Sequence, residues 1–216
     1  MNPKSFELIT FSLIVSIAVA VLILPGCTKG KEEKQPLYPA SVKNLTVAYE
    51  AALKRASWCQ QFAAHAEQEK KPAIAAMIKG IVRSEQIHAT QLTALLESLG
   101  VHPEPPSISP VKVGTIQQCL KNAYNTEILE RNSTKLNWIR QAKEEGFEKG
   151  IALFTQMLEV EKRHVELLQY PMEHDGQVSF AKNAVKVCPD CGYIITSGTT
   201  PECPVCKMKK DQFISI

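Results

Sequence analysis

The stretch Ser84-Glu-Gln-Ile-His88, together with Glu161-Lys-Arg-His164, decides the fold of this chain. Each stretch carries a glutamate and a histidine three residues apart, and residues at that spacing are neighbours on a helix surface. Both pairs continue an apolar stripe at helical spacing. The stripe residues are Ile74, Ile78, Ile81, Leu92, Leu95 and Leu99 in the first segment, and Ile151, Phe154, Leu158 and Leu168 in the second. Both Glu-x-x-His pairs are therefore predicted to point into a helical core.

Two inward-facing carboxylate–imidazole pairs indicate a metal centre. A buried carboxylate without a partner costs several kcal/mol or takes up a proton, so a core that accepts two of them is expected to hold cations. The alternative is that each Glu–His pair is solvated or satisfied by its own members. A single pair favours that alternative, whereas two pairs on two apolar faces favour metal, because buried acids are rare unless paired or ligated.

A third segment adds two more carboxylates. The same spacing of three or four residues separates Leu120, Ala123, Glu127 and Glu130. This helical spacing puts both glutamates on an inward face. The pattern predicts four helices, over residues 42–69, 72–99, 115–145 and 147–170. Pro72 suits a helix start, and Gly146 marks the turn between the last two helices.

A proline-rich connection separates the second and third helices. Residues 100–114 contain Pro103, Pro105, Pro106 and Pro110, so this stretch cannot be helical. Fully extended it reaches about 50 Å, against about 40 Å for the second helix, so it could cross the whole bundle and leave these two helices parallel. One long crossover is typical of the ferritin-like arrangement, in which helices supply Glu and Glu-x-x-His ligands to two metal ions.

The carboxyl-terminal tail carries a second metal signature. Cys188-Pro-Asp-Cys191 and Cys203-Pro-Val-Cys206 form two CxxC pairs at the spacing of a closed tetrahedral thiolate site. So short a segment with little apolar material needs metal or disulfides to fold. We favour metal over disulfides, because both cysteines of each pair would otherwise need partners elsewhere in a very small module. Geometry leaves iron or zinc open.

These residues resemble the rubrerythrin family, an all-α ferritin-like four-helix di-iron bundle followed by a small rubredoxin-like four-cysteine domain. The resemblance covers about residues 42–214. It rests on the two Glu-x-x-His stretches, on Glu127-Ile-Leu-Glu130 and Glu145-Gly-Phe147, and on the tail sequences CPDCGY and PECPVC.

The resemblance implies a role for each ligand. Glu85 and Glu161 would bridge two irons, and His88 and His164 would each cap one of them. Glu127 would be the remaining carboxylate of the second iron. Glu130 would exchange with the imidazole of the second helix as the first iron changes oxidation state. Cys188, Cys191, Cys203 and Cys206 would hold one further iron, with zinc as the alternative.

The sequence also departs from the family pattern. Ala52 stands where the family has an iron-binding glutamate on the first helix, and Glu50 cannot replace it because two residues turn a helix by about 200°. We therefore expect the first iron to be bound more weakly. Cys59 stands where the family usually has a tyrosine near the site, and Lys207 replaces a glycine after the second CxxC, at a cost of about 1 kcal/mol if the turn needs positive φ.

The amino terminus predicts an envelope location. Residues 8–24 are an apolar run that precedes Leu24-Pro-Gly-Cys27, which resembles a bacterial lipoprotein signal cleaved before Cys27. The alternative is an uncleaved membrane anchor. We predict a signal peptide over residues 1–26, a tether over 27–40, the bundle over 41–170, a linker over 171–185 and the rubredoxin-like domain over 186–216. The lipid-anchored protein would face the periplasm or exterior.

The function expected from the resemblance is peroxidase-type oxidoreduction, with hydrogen peroxide reduced to water by electrons that pass through the four-cysteine iron. By resemblance the working unit would be a homodimer, and an unidentified carrier would supply the electrons. The alternative is a non-catalytic metal-binding or iron-handling protein, with a zinc tail and a degenerate bundle site, which Ala52 favours. A net charge of +3 without a lysine cluster interleaved with aromatic residues gives no case for nucleic acid.

Overall fold

The computed structural model describes residues 37–109, 113–181, 184–196 and 201–216. The predicted signal peptide, the lipidation site Cys27 and most of the tether lie outside these residues. Within the described part of the chain, no helix is long and apolar enough to cross a membrane.

The helices begin and end near the predicted positions. They are α1 (Pro39–Gln68), α2 (Pro72–Ser98), α3 (Ile116–Leu129), α4 (Lys135–Glu144) and α5 (Glu148–Glu173). Both α1 and α2 begin with a proline. The N–H groups of the first helical turn have no acceptor within the helix, so the missing N–H of proline costs nothing there. Thr115 and Gln118 form a capping box that starts α3 after the proline-rich connection.

The third predicted helix, 115–145, contains a π-helical turn that the periodicity does not reveal. Glu130–Thr134 joins α3 to α4 in one continuous helical run, and the backbone N–H of Lys135 bonds to the carbonyl oxygen of Glu130. This bond links residues five apart instead of four. The turn therefore changes which side chains of α4 face the interior.

The helices form the expected ferritin-like bundle with one long crossover. α1 packs mainly against α2, and α5 packs against both α3 and α4. Gly176, which follows α5, lies close to both Ile74 near the start of α2 and Ile116 at the start of α3. α2 and α3 therefore begin at the same end of the bundle and run parallel, as the length of the connection predicts.

The apolar core forms two clusters. The first includes Phe62, Ile78, Ile81, Leu120 and Leu168. The second includes Leu45, Leu92, Leu96, Phe154 and Met157. Along α2 and α5, the buried polar residues between these clusters are Ser84, Glu85, His88, Glu161 and His164. The polar side chains therefore occupy a layer in the middle of the bundle, closed by apolar packing at both ends.

The tail folds as a small sheet with two cysteine turns. Strands β1 (Lys186–Val187), β2 (Ile194–Ile195) and β3 (Ile214–Ser215) pair antiparallel in the order β2-β1-β3. The sheet packs against α2 and α5 of the same chain. Arg163 on α5 donates to the carbonyl oxygen of Ile194, and Gln91 on α2 donates to that of Asp190. These contacts position the four cysteines beside the polar layer.

Candidate metal centres

The structure brings the six predicted bundle ligands together from three helical runs. They are Glu85 and His88 on α2, Glu127 on α3, Glu130 in the π turn, and Glu161 and His164 on α5. All are buried apart from Glu130, whose side chain is 19% exposed. Five of them, all except Glu130, form two groups of ligand atoms that share Glu85. The first is Glu85, His88 and Glu161, and the second is Glu85, Glu127 and His164.

Both groups have the chemistry of a metal site. Within each group, the candidate ligand atoms lie within 4.8 Å of one another. Five buried atoms of these candidate ligands have no hydrogen-bond partner among the described residues: Glu85 Oε1, Glu127 Oε2, Glu161 Oε2 and both ring nitrogens of His88. Leaving buried polar atoms unpaired is costly, and carboxylate oxygens with imidazole nitrogens are a donor set that suits iron. The residues present therefore fit a metal centre.

His164 is held in a fixed orientation. Its Nε2 lies 2.9 Å from Ser84 Oγ, and its Nδ1 faces Glu127 Oε1 at 3.1 Å and Glu85 Oε1 at 3.8 Å. Burial alone would lower the pKa of His164, but Glu127 and Glu85 outweigh it and the pKa is raised. Burial raises the pKa of Glu127. With Nε2 bonded to Ser84, Nδ1 is the nitrogen directed at the carboxylates.

Sequence reasoning missed Arg55, which enters the site from α1. Its guanidinium bonds to both oxygens of Glu130 at 2.5 Å and to Glu85 Oε2 at 3.0 Å, and lies 3.7 Å from Glu161 Oε1. Burial alone would raise the pKa of Glu85, but Arg55 and then His88 hold it below its ordinary value. Arg55 lies three residues after Ala52, so helical spacing from the missing ligand would have found it.

Sequence reasoning also missed Lys135, whose side chain is only 1% exposed. Its Nζ lies 2.6 Å from Glu161 Oε1 and 3.4 Å from Glu130 Oε2, and it sits 5.3 Å from the ring centre of Trp138. In an α-helix, five residues turn the chain by about 140° away from Glu130. The π turn stacks residues five apart, so Lys135 follows Glu130 on the same face.

The positions flagged as departures lie where the helical pattern puts them. Ala52 is fully buried, and Cys59 is buried further along α1. Glu50 pairs with Lys54 on the exposed side of the helix, away from the polar layer. The Ala52 side chain offers no ligand atom. Arg55, one turn further along the same helix, places a cation against Glu85 and Glu161 in the polar layer.

A cavity of about 550 Å³ leads to one side of the polar layer. Arg55 and Glu127 lie in its wall, and the crossover connection contributes Ser107, Ile108 and Ser109. Much of the remaining wall is apolar, including Trp58, Ile81, Ala123 and Leu168. A small polar molecule that enters here would meet the guanidinium and a candidate metal ligand together.

The four tail cysteines form a closed group. Cys188 Sγ lies 3.5 Å from Cys206 Sγ, Cys191 Sγ lies 3.5 Å from Cys203 Sγ, and all four sulfurs lie within 4.8 Å of one another. A disulfide would need a separation of about 2.05 Å. A tetrahedral metal with bonds of about 2.3 Å spaces its sulfurs by about 3.8 Å. The four cysteines are free, and their spacing fits a metal ion in place of disulfides.

Backbone turns support the four sulfurs. The N–H of Gly192 bonds to the carbonyl oxygen of Cys188, and the N–H of Lys207 bonds to that of Cys203. Gly192 has φ +85° and Lys207 has φ +66°, so the lysine does occupy a left-handed position that suits glycine. Hydrogen bonds from the Cys191 thiol and from backbone N–H groups lower the pKa of Cys188 to about 5, which favours a thiolate ligand.

The two centres adjoin within one chain. Val160, which precedes Glu161, packs in one cluster with Cys188, Cys191 and Cys203. Gly192 approaches Ser84 so closely that a Cβ there would come within 2.7 Å of Ser84 Oγ. Ser84 is also the hydrogen-bond partner of His164. A single serine therefore touches both the cysteine turn and a bundle ligand.

The fold and site define a class of protein: a ferritin-like carboxylate–histidine bundle joined to a four-cysteine metal domain. Residues 43–170 match the family model described as Rubrerythrin, and residues 187–214 match the one described as the rubredoxin-like domain of rubrerythrin. The chain belongs to the rubrerythrin family. The resemblance to this family and the predicted fold class are therefore confirmed.

Curated relatives and solved structures agree with this assignment. Nigerythrin from Nitratidesulfovibrio vulgaris is 28% identical over 152 residues, which cover 70% of this chain and 74% of the relative. Rubrerythrin from Porphyromonas gingivalis is 29% identical over 168 residues, which cover 76% of this chain and 84% of that protein. The structure of fully reduced, all-ferrous nigerythrin matches with a TM-score of 0.76 at 25% identity, over 82% of this chain and 86% of that one.

Proposed function

We propose that this protein reduces hydrogen peroxide to water at the metal centre of the bundle, with electrons delivered through iron in the four-cysteine site. The observation that carries the proposal is the contact between the two centres through Ser84, which bonds to His164 and packs against Gly192. A redox reaction that uses both centres needs such proximity. A purely structural zinc module does not.

The reaction balances with two electrons from ferrous iron and two protons from solvent. Hydrogen peroxide takes up two electrons and two protons, its O–O bond breaks, and two water molecules form. Ferrous iron, when bound, supplies the electrons one at a time. The protein residues orient the ligands and limit the access of water. Ser84 fixes the ring of His164, and the cavity that leads to the site has a largely apolar wall. Arg55 offers a fixed positive charge that stabilises the negative charge developing on the peroxide oxygens as the O–O bond breaks.

The source of electrons is an external one-electron reductant, which we propose to be a carrier of the cell envelope. The homodimer expected from the resemblance remains a proposal. Contact between the cysteine turn and the bundle of the same chain would let electrons pass without a second copy.

The envelope location is proposed on the sequence around Cys27. Cleavage and lipid attachment there would leave the domain tethered through residues 27–40 to a membrane. Mass analysis of the chain from its native host should find a lipid-modified Cys27 as the first residue, and Cys27→Ser should leave the precursor uncleaved. A native chain that retains Met1 would contradict the lipoprotein proposal.

The function can be tested on the full chain purified without oxygen from iron-replete cells. Iron in the tail should give thiolate-to-iron absorption that dithionite bleaches and Cys203→Ser abolishes. Adding peroxide to the reduced protein should restore this absorption rapidly. Glu127→Gln should slow the return about tenfold or more, since it weakens a ligand of the group formed by Glu85, Glu127 and His164, whereas Glu159→Gln, at an exposed position paired with Lys162, should not.

Two outcomes would overturn the proposal. One is zinc in the tail of native, iron-replete protein. The other is a return of absorption that Glu127→Gln leaves unchanged, because peroxide would then oxidise the tail directly. Either result favours the second candidate, a non-catalytic metal-binding or iron-handling protein. That candidate is favoured by Ala52, which removes a ligand, and by the two cations that occupy the site.

A further inference from the structure

We propose that Arg55 and Lys135 take the place of one metal ion in the bundle. The bundle would then bind one metal ion tightly, at Glu85, Glu127 and His164, and a second far more weakly. The inference rests on the proposed function only in treating this layer as a metal site. It concerns how many ions the site holds, and it is tested without peroxide.

Both cations lie on the carboxylates of one half of the site. Arg55 contacts Glu85 Oε2 at 3.0 Å and Glu161 Oε1 at 3.7 Å, and Lys135 contacts the same Glu161 oxygen at 2.6 Å. Glu85 and Glu161 are the carboxylates of the group that includes His88. A metal ion bound by this group would have to share those oxygens with two positive side chains.

In the other half of the site, the shared residue Glu85 contacts Arg55 through Oε2, and its Oε1 is left for a metal ion. Neither cation forms an ion pair with Glu127, and Glu127 Oε2 has no hydrogen-bond partner among the described residues. Glu85 Oε1, which is also without a partner, faces His164 at 3.8 Å. The two carboxylates and the imidazole can therefore converge on one ion without displacing a protein cation.

Charge balance favours one ion. Ligands bind metal in their deprotonated forms. In that form Glu85, Glu127, Glu130 and Glu161 contribute four negative charges and the imidazoles are neutral. Arg55 and Lys135 contribute two positive charges, which leaves two negative charges. One divalent ion neutralises that remainder. A second would leave an excess of positive charge in a buried layer, where uncompensated charge is strongly disfavoured.

The two cations reach the site by separate structural routes, which indicates a built arrangement. Arg55 extends from α1, one turn after Ala52, where the carboxylate of the first helix is missing. Lys135 reaches the same oxygens only because the π turn at Glu130–Thr134 redirects α4. Arginine keeps its charge at any ordinary pH, so this half of the site stays neutralised without metal.

The test is an anaerobic titration of metal-free full-length protein with Co²⁺ and then Fe²⁺, followed by metal analysis. The unmodified chain should bind two ions tightly, one in the tail and one in the bundle, with a further ion held at least about tenfold more weakly. Arg55→Met and Lys135→Met remove the charge but keep a long side chain. Each should tighten the weak bundle site about tenfold or more.

A matched control is Arg140→Met, because Arg140 pairs with Glu144 on the exposed side of α4. It should leave every affinity unchanged. The inference is overturned if the unmodified bundle binds two ions with equal affinity, or if both variants leave the weak site within about twofold of its original affinity. Circular dichroism would identify a variant that does not fold, and the titration of the unmodified chain then decides the question alone.

The outcomes also separate this inference from the proposed function. A bundle that binds two ions equally and reduces peroxide would overturn only the inference. A bundle that binds one ion tightly and leaves peroxide unreduced would overturn only the proposed function.

Discussion

Ser84 Oγ lies 2.9 Å from His164 Nε2, and the same serine meets the backbone of Gly192 in the first cysteine turn. The bond fixes which nitrogen of His164 faces the carboxylates. Because such outer partners orient metal ligands, losing one weakens metal binding about 10- to 100-fold. The contact with Gly192 also makes Ser84 a direct link between the two centres.

Ser84→Ala should therefore weaken the tight bundle site by about tenfold, and leave the four-cysteine site unchanged. Co²⁺ titration of the full chain measures both sites. Ser98→Ala is the control, since Ser98 on the same helix is exposed and donates to the carbonyl oxygen of Leu95. Equal bundle affinities in Ser84→Ala and the unmodified chain would show that the serine does not position His164.

The two cysteine turns predict opposite effects of substitution. Lys207→Gly should stabilise the tail by about 1 kcal/mol, because a lysine at φ +66° is strained where glycine is not. Gly192→Ala should destabilise it, because the new methyl group would meet Ser84 Oγ and because φ is +85°. Resistance of the thiolate–metal absorption to heat and chelator measures both changes. A lower resistance in Lys207→Gly would contradict the account of the turn.

The start of α1 predicts a pH-dependent contribution to stability. Glu145 accepts hydrogen bonds from the backbone N–H groups of Ala40 and Ser41 at 2.8 and 2.9 Å, which caps the helix from the end of α4. Partial burial alone would raise the pKa of Glu145, but the hydrogen bonds from Ser41 and Ala40 outweigh it and lower the pKa. A depressed pKa in the folded state means stability that is present above the unfolded pKa, about 4.3, and lost as pH falls through the folded value.

Glu145→Gln should therefore lower the free energy of unfolding by about 1 kcal/mol at pH 7, and the difference should shrink below about pH 4. Urea unfolding of the two proteins across this range provides the measurement. Glu144→Gln, which removes an exposed carboxylate paired with Arg140, should change stability by less than about 0.5 kcal/mol. A difference that grows as pH falls would contradict this explanation.

How much of the site was visible in the sequence depends on local geometry. The pairs Glu85/His88 and Glu161/His164 were predictable, because both helices keep α-helical spacing through them. The four cysteines were predictable from their own spacing. Lys135 was not, because the π turn breaks the periodicity on which the prediction relies.

Arg55 was missed for a different reason. It lies at the right spacing from Ala52, but an arginine on an otherwise apolar face is easily interpreted as a side chain that reaches solvent. Its purpose appears only when Glu85, Glu130 and Glu161 are brought to it by other helices. The contact of Gly192 with Ser84 depends likewise on how the tail packs against the bundle, which no local pattern encodes.

The last prediction concerns the missing ligand at Ala52. The new carboxylate of Ala52→Glu would lie one turn from Arg55 and would pair with it before it could bind metal. Alone, the substitution should therefore tighten the weak bundle site less than the double variant Ala52→Glu/Arg55→Met. Ala52 is fully buried, so overpacking could cost about 1 to 3 kcal/mol, which thermal unfolding would reveal.

Four proteins are titrated with Fe²⁺: the unmodified chain, Ala52→Glu, Arg55→Met and the double variant. The comparison separates the effect of the added carboxylate from that of the removed arginine. Ala64→Glu, at an exposed position of α1, controls for an added carboxylate on this helix. If the double variant binds its second bundle ion no more tightly than Arg55→Met alone, then Ala52 does not stand at a ligand position, and solvent or another side chain completes that half of the site. If it binds more tightly, then Arg55 and the missing glutamate at position 52 act together. The guanidinium of Arg55 then replaces both the missing ligand and the metal ion that this ligand would bind.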